Sequence, residues 1–484
     1  MNDAITTDPS IEDAVAATRA SFATRRTRPL AWRVHQLDRL ADLLRENGER
    51  IEHALWTDLH KSPTQTQINE TGAVIADIAH LKKNLRRWVK DARLPVPLGL
   101  RPARARLVTE PLGVVLIVAP WNYPVQLLMA PLAGALAAGN AVVLKPSELT
   151  PTVSALWAEL VPRYLDPDAV RVVEGGVEET TTLLTHSFDY IFYTGNGTVG
   201  RIVAHAAADH LTPVTLELGG KSPVWFDDDE NIAQVARRLA WAKYTNAGQT
   251  CVAPDYVLTT PDRVEALTAA LGSAIRAMWS DDPAAVEDYG RIVNDRHFAR
   301  LAGYLKDGDI IHGGVTDASR RYISPTVLQL QEPLDVRDLA GRPPIMREEI
   351  FGPILPVVPV ADPADAVRYI NAGDKPLALY VFSGDAATRE LFVRETSSGG
   401  IGLDVPMLQA GLPDVPFGGV GPSGMGSYHG AASVYTFSHR KPVVRKRFVL
   451  DALRFIEPPF TEQKRQIARR TATAGSRRER SSRY

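Results

Sequence analysis

One cysteine, Cys251, stands at the end of Asn246-Ala247-Gly248-Gln249-Thr250-Cys251, a run of small and polar residues that leaves a sulfur open to reagents. Cysteine reacts as the thiolate, and polar donors or a helix N-terminus beside it lower its pKa, so a lowered value is expected here. The competing reading is a small hydrophobe in the core, the commonest use of a free cysteine. A thiolate that adds to a carbonyl makes an oxyanion, and an oxyanion needs fixed hydrogen-bond donors. Asn122, within Ala119-Pro120-Trp121-Asn122-Tyr123-Pro124, offers a side-chain NH₂ for that purpose. It serves equally well as a turn asparagine between two prolines. An acyl group left on sulfur needs water, and the water needs a base. Glu217, in Leu216-Glu217-Leu218-Gly219-Gly220, closes an apolar run where burial raises a carboxyl pKa. A salt bridge at a hinge is its other reading, weakened by the cost of burying a charge between two leucines.

A second group of residues suits a dinucleotide. Gly195-Asn196-Gly197-Thr198-Val199-Gly200 spells G-x-G-x-x-G and offers backbone N–H groups to a phosphate. It follows several strands instead of opening the first strand–helix unit, so a glycine-rich turn capping a helix explains it as well. Lys145 and Glu148, in Lys145-Pro146-Ser147-Glu148, supply a cation and a carboxylate for ribose hydroxyls, or else a solvated surface pair. Trp121 and Tyr123 flank Asn122 and present aromatic surface to a substrate, or simply pack their loop. His429 and His439 are lone histidines that fit a substrate mouth or a structural role. With one cysteine there is no internal disulfide and no zinc site of several thiolates; no metal is expected.

These groups must be held by elements legible in the pattern. Ser10 to Asp13 reads as a capping box, after which Ile11, Ala14, Val15, Thr18 and Phe22 recur at helical spacing. Leu37, Leu40, Leu43 and Leu44 mark a second amphipathic helix. Residues 87–111, interrupted by Pro95, Pro97 and Pro102, read as an extended excursion. Apolar runs at 114–119, 141–144, 190–193 and 213–216 alternate with helical stretches such as 152–164, the texture of a parallel α/β sheet. The candidate groups of this half lie just after those runs, where such sheets bind ligands. A second α/β region spans 219–416, with helices near 232–244 and 263–279 and a strand at 354–360. Residues 464–484 hold eight basic residues and one acidic one with almost no large apolar side chain, and read as a disordered, solvated tail. A partner-binding segment is the lesser reading of that tail.

The chain of 484 residues is long enough for two or three domains. Its 55 basic and 56 acidic residues give a net charge of -1, which leaves no field to hold nucleic acid or an anionic membrane. No segment approaches the roughly 20 apolar residues of a membrane span, and no signal peptide is read at the N-terminus. Cytoplasmic residence is expected from the cysteine usage.

Together, PWNYP at Pro120, KPSE at Lys145, LELGGKSP at Leu216, NAGQTCVAPDY at Asn246, EEIFGP at Glu348 and PFGGVGPSGMGSYHG at Pro416 resemble the aldehyde dehydrogenase superfamily. DYGRIVNDRHF at Asp288 and FSHR at Phe437 make the chain most similar to the class 3 branch. The resemblance implies an α/β fold with a Rossmann-like cofactor domain (1–90 and 112–217) and an α/β catalytic domain (218–416). It further implies a small β oligomerisation extension (91–111 and 440–460), which the 443–450 run suits, a return segment (417–439) and the tail (461–484). It implies Cys251 as nucleophile, Asn122 and the Cys251 N–H as oxyanion hole, and Glu217 as base of deacylation. Lys145 and Glu148 would meet the adenosine ribose, Glu349 the nicotinamide ribose, Phe351 the nicotinamide, and Gly195 and Asn196 the phosphates. NAD, with NADP tolerated, is the implied cofactor; a medium- or long-chain aliphatic or aromatic aldehyde is the implied substrate, and a homodimer the implied assembly. Two departures from the usual pattern stand out: Asn196 replaces a serine and can still donate a hydrogen bond, and Gly402-Leu403-Asp404 replaces Val-Asn-Asp. Rival readings are a CoA-acylating dehydrogenase, a cofactor-independent thiol esterase, and a non-catalytic protein that keeps the fold.

Overall fold

The computed structural model describes residues 10–97, 100–330, 341–449 and 452–478. The chain divides into one unit of Met1–Trp88 with Pro111–Ser438 and a second of Val89–Glu110 with His439–Tyr484.

The first unit opens with helices. Ser10 caps Ile11–Ala23 by accepting from the Asp13 N–H at 3.2 Å, and Ala14, Val15 and Thr18 of the apolar stripe are buried. Leu30–Glu46 buries Leu37, Leu40, Leu43 and Leu44 in the same way. After Gly48–Leu59 and the short Pro63–Thr66, the chain passes through one π-helical turn, Gln67–Thr71, into the long helix Gly72–Trp88.

A six-stranded sheet then forms in the order Gly424–Met425, Val214–Glu217, Tyr190–Thr194, Val114–Val118, Ala141–Lys145, Val170–Val172. All its pairings are parallel except that of the edge strand Gly424–Met425. Val114–Val118, Ala141–Lys145 and Tyr190–Thr194 are buried along their whole length, as strands covered on both faces must be. The chain moves outward from Val114–Val118 on one side and returns at Tyr190–Thr194 on the other. The crevice where such an order reverses is where open α/β sheets take ligands. The apolar runs located these strands to within about a residue, as well as element ends can be placed. Val170–Val172 and Gly424–Met425 carry too few residues to show a period.

A seven-stranded sheet follows in the order Asp309–His312, Thr326–Gln329, Ile354–Pro359, Tyr256–Thr259, Pro223–Phe226, Ala378–Phe382, Gly400–Leu403. Only Asp309–His312 runs antiparallel to its neighbour. Helix Ile232–Tyr244 falls where its periodicity put it, and Val264–Trp279 begins after a 3₁₀ turn at Pro261–Arg263.

In the second unit, Ala92–Leu94, Ala103–Pro111 and Ser438–Lys446 make a three-stranded sheet, so the extended excursion is a strand pair. Leu450, at the end of the 443–450 run, lies outside the described residues. The expectation of a tail without structure is corrected over Glu462–Arg478, which is an α-helix. Alanine, arginine, glutamine and lysine favour helix without any core, and Arg465 stands 3.6 Å from Glu462 one turn earlier. Absence of apolar residues removed packing, not local structure; the last six residues of the tail, 479–484, lie outside the described ones. Among the described residues no helix is long and apolar enough to cross a membrane.

Gly424 fixes the edge of the six-stranded sheet. It pairs with Glu217 at φ +143°, and a Cβ there would lie 2.1 Å from the Leu216 carbonyl oxygen. Gly424→Ala is expected to lower unfolding free energy by about 1–3 kcal/mol, measured by denaturant titration, because backbone and not a mobile side chain must give way.

Candidate active site

Cys251 is reached through a distorted turn. Helix Ile232–Tyr244 ends, and Asn246 and Ala247 adopt φ of +54° and +52° within the 3₁₀ turn Thr245–Gly248. Gly248 follows at φ +73°, with space for a Cβ denied by the Gly352 carbonyl oxygen 2.2 Å away. Gln249 then clamps the loop: its Nε2 donates to the carbonyls of Asn246 (3.0 Å) and Arg291 (2.9 Å), and its Oε1 accepts from the Val293 N–H at 3.0 Å. Beyond the sulfur, Tyr380 Oη donates to the Val252 carbonyl at 2.6 Å. Cys251 is left half-buried, neither packed away nor open.

Asn122 is brought to this loop. Its Nδ2 donates to the Gln249 carbonyl at 3.1 Å, and its own carbonyl accepts from Asn246 Nδ2 at 3.0 Å. An amide NH₂ carries two hydrogens, so one stays free for an oxyanion. Glu217 closes its strand with 3% of its surface exposed, and neither carboxylate oxygen has a hydrogen-bond partner among the described residues. No salt bridge holds it among the described residues, and burial raises its pKa well above the ordinary value.

The thiol expectation is reversed. Burial first, then the Glu349 and Glu217 carboxylates, pushes the Cys251 thiol up to about 12, against the N–H groups of Cys251 and Val252 that lower it. Polar neighbours are present as the sequence indicated, but desolvation and two carboxylates outweigh them.

Glu349 is the other carboxylate that acts on the sulfur. A Cβ on Gly219 would fall 1.9 Å from its Oε2, the Gly220 N–H donates to it, and burial followed by Asp255 raises it to about 8. Its loop is pinned by Lys221 Nζ, which donates to the Ile345 and Glu348 carbonyls at 2.8 and 2.9 Å and to Asp255 at 2.5 Å. Asp255 in turn accepts from the Ile350 N–H at 3.0 Å. Phe351 adopts φ +51° and meets Trp121 edge-on at 5.4 Å; Trp121 also lies 5.7 Å from the His297 ring.

Lys145, Glu148, Gly195 and Asn196 lie at or just past the carboxyl ends of strands of the six-stranded sheet. Lys145 is buried, its Nζ donates to the Pro146 carbonyl at 2.7 Å, and it stands 3.9 Å from the half-exposed Glu148. Asn196 caps helix Gly197–Asp209 by accepting from the Val199 N–H at 3.0 Å, so the contact it makes is that of an acceptor. Gly195 precedes it, its N–H donating to the Glu217 carbonyl at 3.0 Å. A buried cation beside an exposed carboxylate, near an N-capped helix at the reversal of strand order, fits the ribose and phosphates of a dinucleotide. Tyr123 is buried with Oη 2.8 Å from Thr250 Oγ1, packing its loop. His429 is buried against the Tyr428 ring at 4.2 Å, and His439 lies on the strand Ser438–Lys446 of the other unit. Sequence reasoning assigned no role to Gln249, Tyr380, Lys221 or Asp255. Gln249, Lys221 and Asp255 lay inside quoted motifs, whereas nothing local marks Tyr380, which acts across 128 residues.

Because the sulfur is unique, its titration is directly readable. Alkylation of the free protein by iodoacetamide is expected to accelerate about tenfold per pH unit from pH 7 to 10 without a plateau, since thiolate is scarce below the raised pKa. A plateau near pH 8, read by mass spectrometry, contradicts the geometry.

Comparison with known proteins bears on the same residues. The profile of the Aldehyde dehydrogenase family matches residues 4–443. Human aldehyde dehydrogenase family 3 member B1 is 47% identical over 458 residues, covering 93% of this chain and 95% of that protein. The rat protein named "Aldehyde dehydrogenase, dimeric NADP-preferring" is 44% identical, covering 90% and 95%. A Staphylococcus aureus AldH structure in a substrate-bound state superposes with a TM-score of 0.91 at 40% identity, covering 95% of this chain and 99% of that one. The cysteine loop, the asparagine bonded to it and the buried glutamate thus sit within a fold and sequence shared along nearly the whole length, and the chain belongs to the aldehyde dehydrogenase family.

Proposed function

We propose that Cys251 carries out the NAD(P)-dependent oxidation of an aldehyde to its carboxylate, with Asn122 and Glu217 as its partners. The observation that carries this assignment is Glu217: a buried carboxyl without a hydrogen-bond partner among the described residues, whose charge raises the Cys251 thiol. Glu217 in its ionised form takes the Cys251 Sγ–H proton and releases it to solvent, Sγ adds to the aldehyde carbon, and the spare Asn122 hydrogen with the Cys251 N–H receives the charge on oxygen. A bound nicotinamide cofactor supplies the acceptor for the aldehyde hydrogen and its electron pair. The acyl group stays on Sγ as a thioester. Ionised Glu217 takes a proton from water as the water attacks the acyl carbon; the C–S bond breaks, the leaving thiolate takes that proton from Glu217, and the acid product departs as its carboxylate after losing its own proton to solvent.

Lys145 and Glu148 would hold the adenosine ribose, Glu349 the nicotinamide ribose, Phe351 the ring, and Gly195 and Asn196 the phosphates. On this reading the six-stranded sheet serves the cofactor and the seven-stranded sheet the nucleophile. The three-stranded sheet would serve homodimerisation. Glu148 favours a ribose 2′-hydroxyl over a 2′-phosphate, so NAD is assigned as preferred and NADP as tolerated. The half-buried Trp121, among Phe351 and His297, gives an aromatic wall suited to aromatic or medium- and long-chain aliphatic aldehydes. An unpaired cysteine fits a reducing cytoplasm.

With an aldehyde panel and NAD⁺, Cys251→Ala is expected to lose NADH formation by about 10⁴-fold or more. Glu217→Gln should give about one NADH per site in a burst and then stall at the thioester. Wild-type turnover by Cys251→Ala would falsify the assignment; turnover that depends on added CoA would instead favour acyl transfer to a thiol. For NADP over NAD, a larger kcat/KM would overturn the cofactor preference.

A further inference from the structure

Lys61 and Glu70 are 1% and 0% exposed and lie outside every motif read from the sequence. Helix Gly48–Leu59 closes at His60 in the left-handed region (φ +55°), and Lys61 follows buried. Glu70 lies in the π-helical turn Gln67–Thr71, a local widening that recurs at functional sites. Lys61 Nζ donates to Glu70 Oε1 at 2.5 Å and to the Asn122 carbonyl at 3.0 Å, and it stands 4.1 Å from the centre of the Tyr123 ring. The other Glu70 oxygen accepts from the N–H groups of Val125 (3.1 Å) and Gln126 (2.8 Å). Those groups open helix Gln126–Ala138, which has no side-chain cap of its own and no acidic residue in its first turn. Glu70 therefore caps that helix from another helix, placing a carboxylate against its positive end.

The pair grips the segment 122–126 at both ends, by a carbonyl at Asn122 and by two N–H groups at Val125 and Gln126. A buried ion pair seldom stabilises more than well-packed apolar residues would, which leaves orientation as its distinctive contribution. We propose that Lys61 and Glu70 are positioning residues that hold the Asn122 NH₂ in register with Cys251, a proposal that rests on the oxyanion role of Asn122. Neither touches substrate. Displacing a catalytic donor by about 1 Å costs on the order of 10²-fold in rate.

The test is single-turnover NADH formation with enzyme in excess over aldehyde, on wild type, Lys61→Met and Glu70→Gln, each also in the Asn122→Ala background. The variants are expected to slow the burst about 10- to 100-fold, with the NAD⁺ Kd held within about twofold. In the Asn122→Ala background the same substitutions should cost less than about threefold, because the group they aim is gone. Glu70→Gln keeps the volume and an acceptor for Val125 and Gln126, so it carries the comparison if Lys61→Met does not fold. A burst within about twofold of wild type, or an undiminished loss in the Asn122→Ala background, overturns the positioning role. Absence of NADH formation in wild type would instead sink the oxidation reading, and the two failures are distinct.

Discussion

The hydrogen bond from Asn122 to the Gln249 carbonyl joins two loops that belong to different sheets, and the rest of the site is arranged around it. Asn122 follows the strand Val114–Val118 of the six-stranded sheet; Gln249 precedes the strand Tyr256–Thr259 of the seven-stranded one. Neither loop is regular, so neither can rely on a ladder of backbone bonds for its position. Side chains that reach backbone groups do the work instead: Asn246 and Gln249 within the cysteine loop, Lys61 and Glu70 beneath the asparagine loop. Most of these bonds end on main-chain atoms, which fixes the path of the chain and leaves the reacting side chains free.

Electrostatics sets the second constraint. Cys251 shares its surroundings with Glu217 and Glu349, and burial drives all three toward their neutral forms. Lys243, buried 4.0 Å from Asp255, is lowered to about 8 by the same desolvation. Charge that develops on an incoming carbonyl is then met by oriented dipoles in a dry environment, where each is worth more than in water.

Much of this was legible in the sequence because the informative features are local. Buried parallel strands announce themselves as apolar runs, and Asn122, Lys145, Asn196 and Cys251 each lie within a few residues of a strand or helix end. What stayed hidden depends on distance. Tyr380 reaches Val252, and Glu70 reaches Val125 and Gln126, only after the chain has folded over more than 50 residues. Thiol reactivity was misjudged for a related reason: the polar neighbours of Cys251 are adjacent in sequence, whereas Glu217 and Glu349, which raise its pKa, are brought there by the fold. The tail helix was missed because a composition without apolar residues reports on packing, and helix propensity needs none.

Glu217 has an evolutionary side. A buried carboxyl with no partner invites repair: a nearby serine, an asparagine or a shifted lysine would satisfy it and make the fold more secure. On the proposed mechanism, every such improvement would silence the base that activates water. Drift toward stability and retention of the reaction therefore pull in opposite directions at this one position.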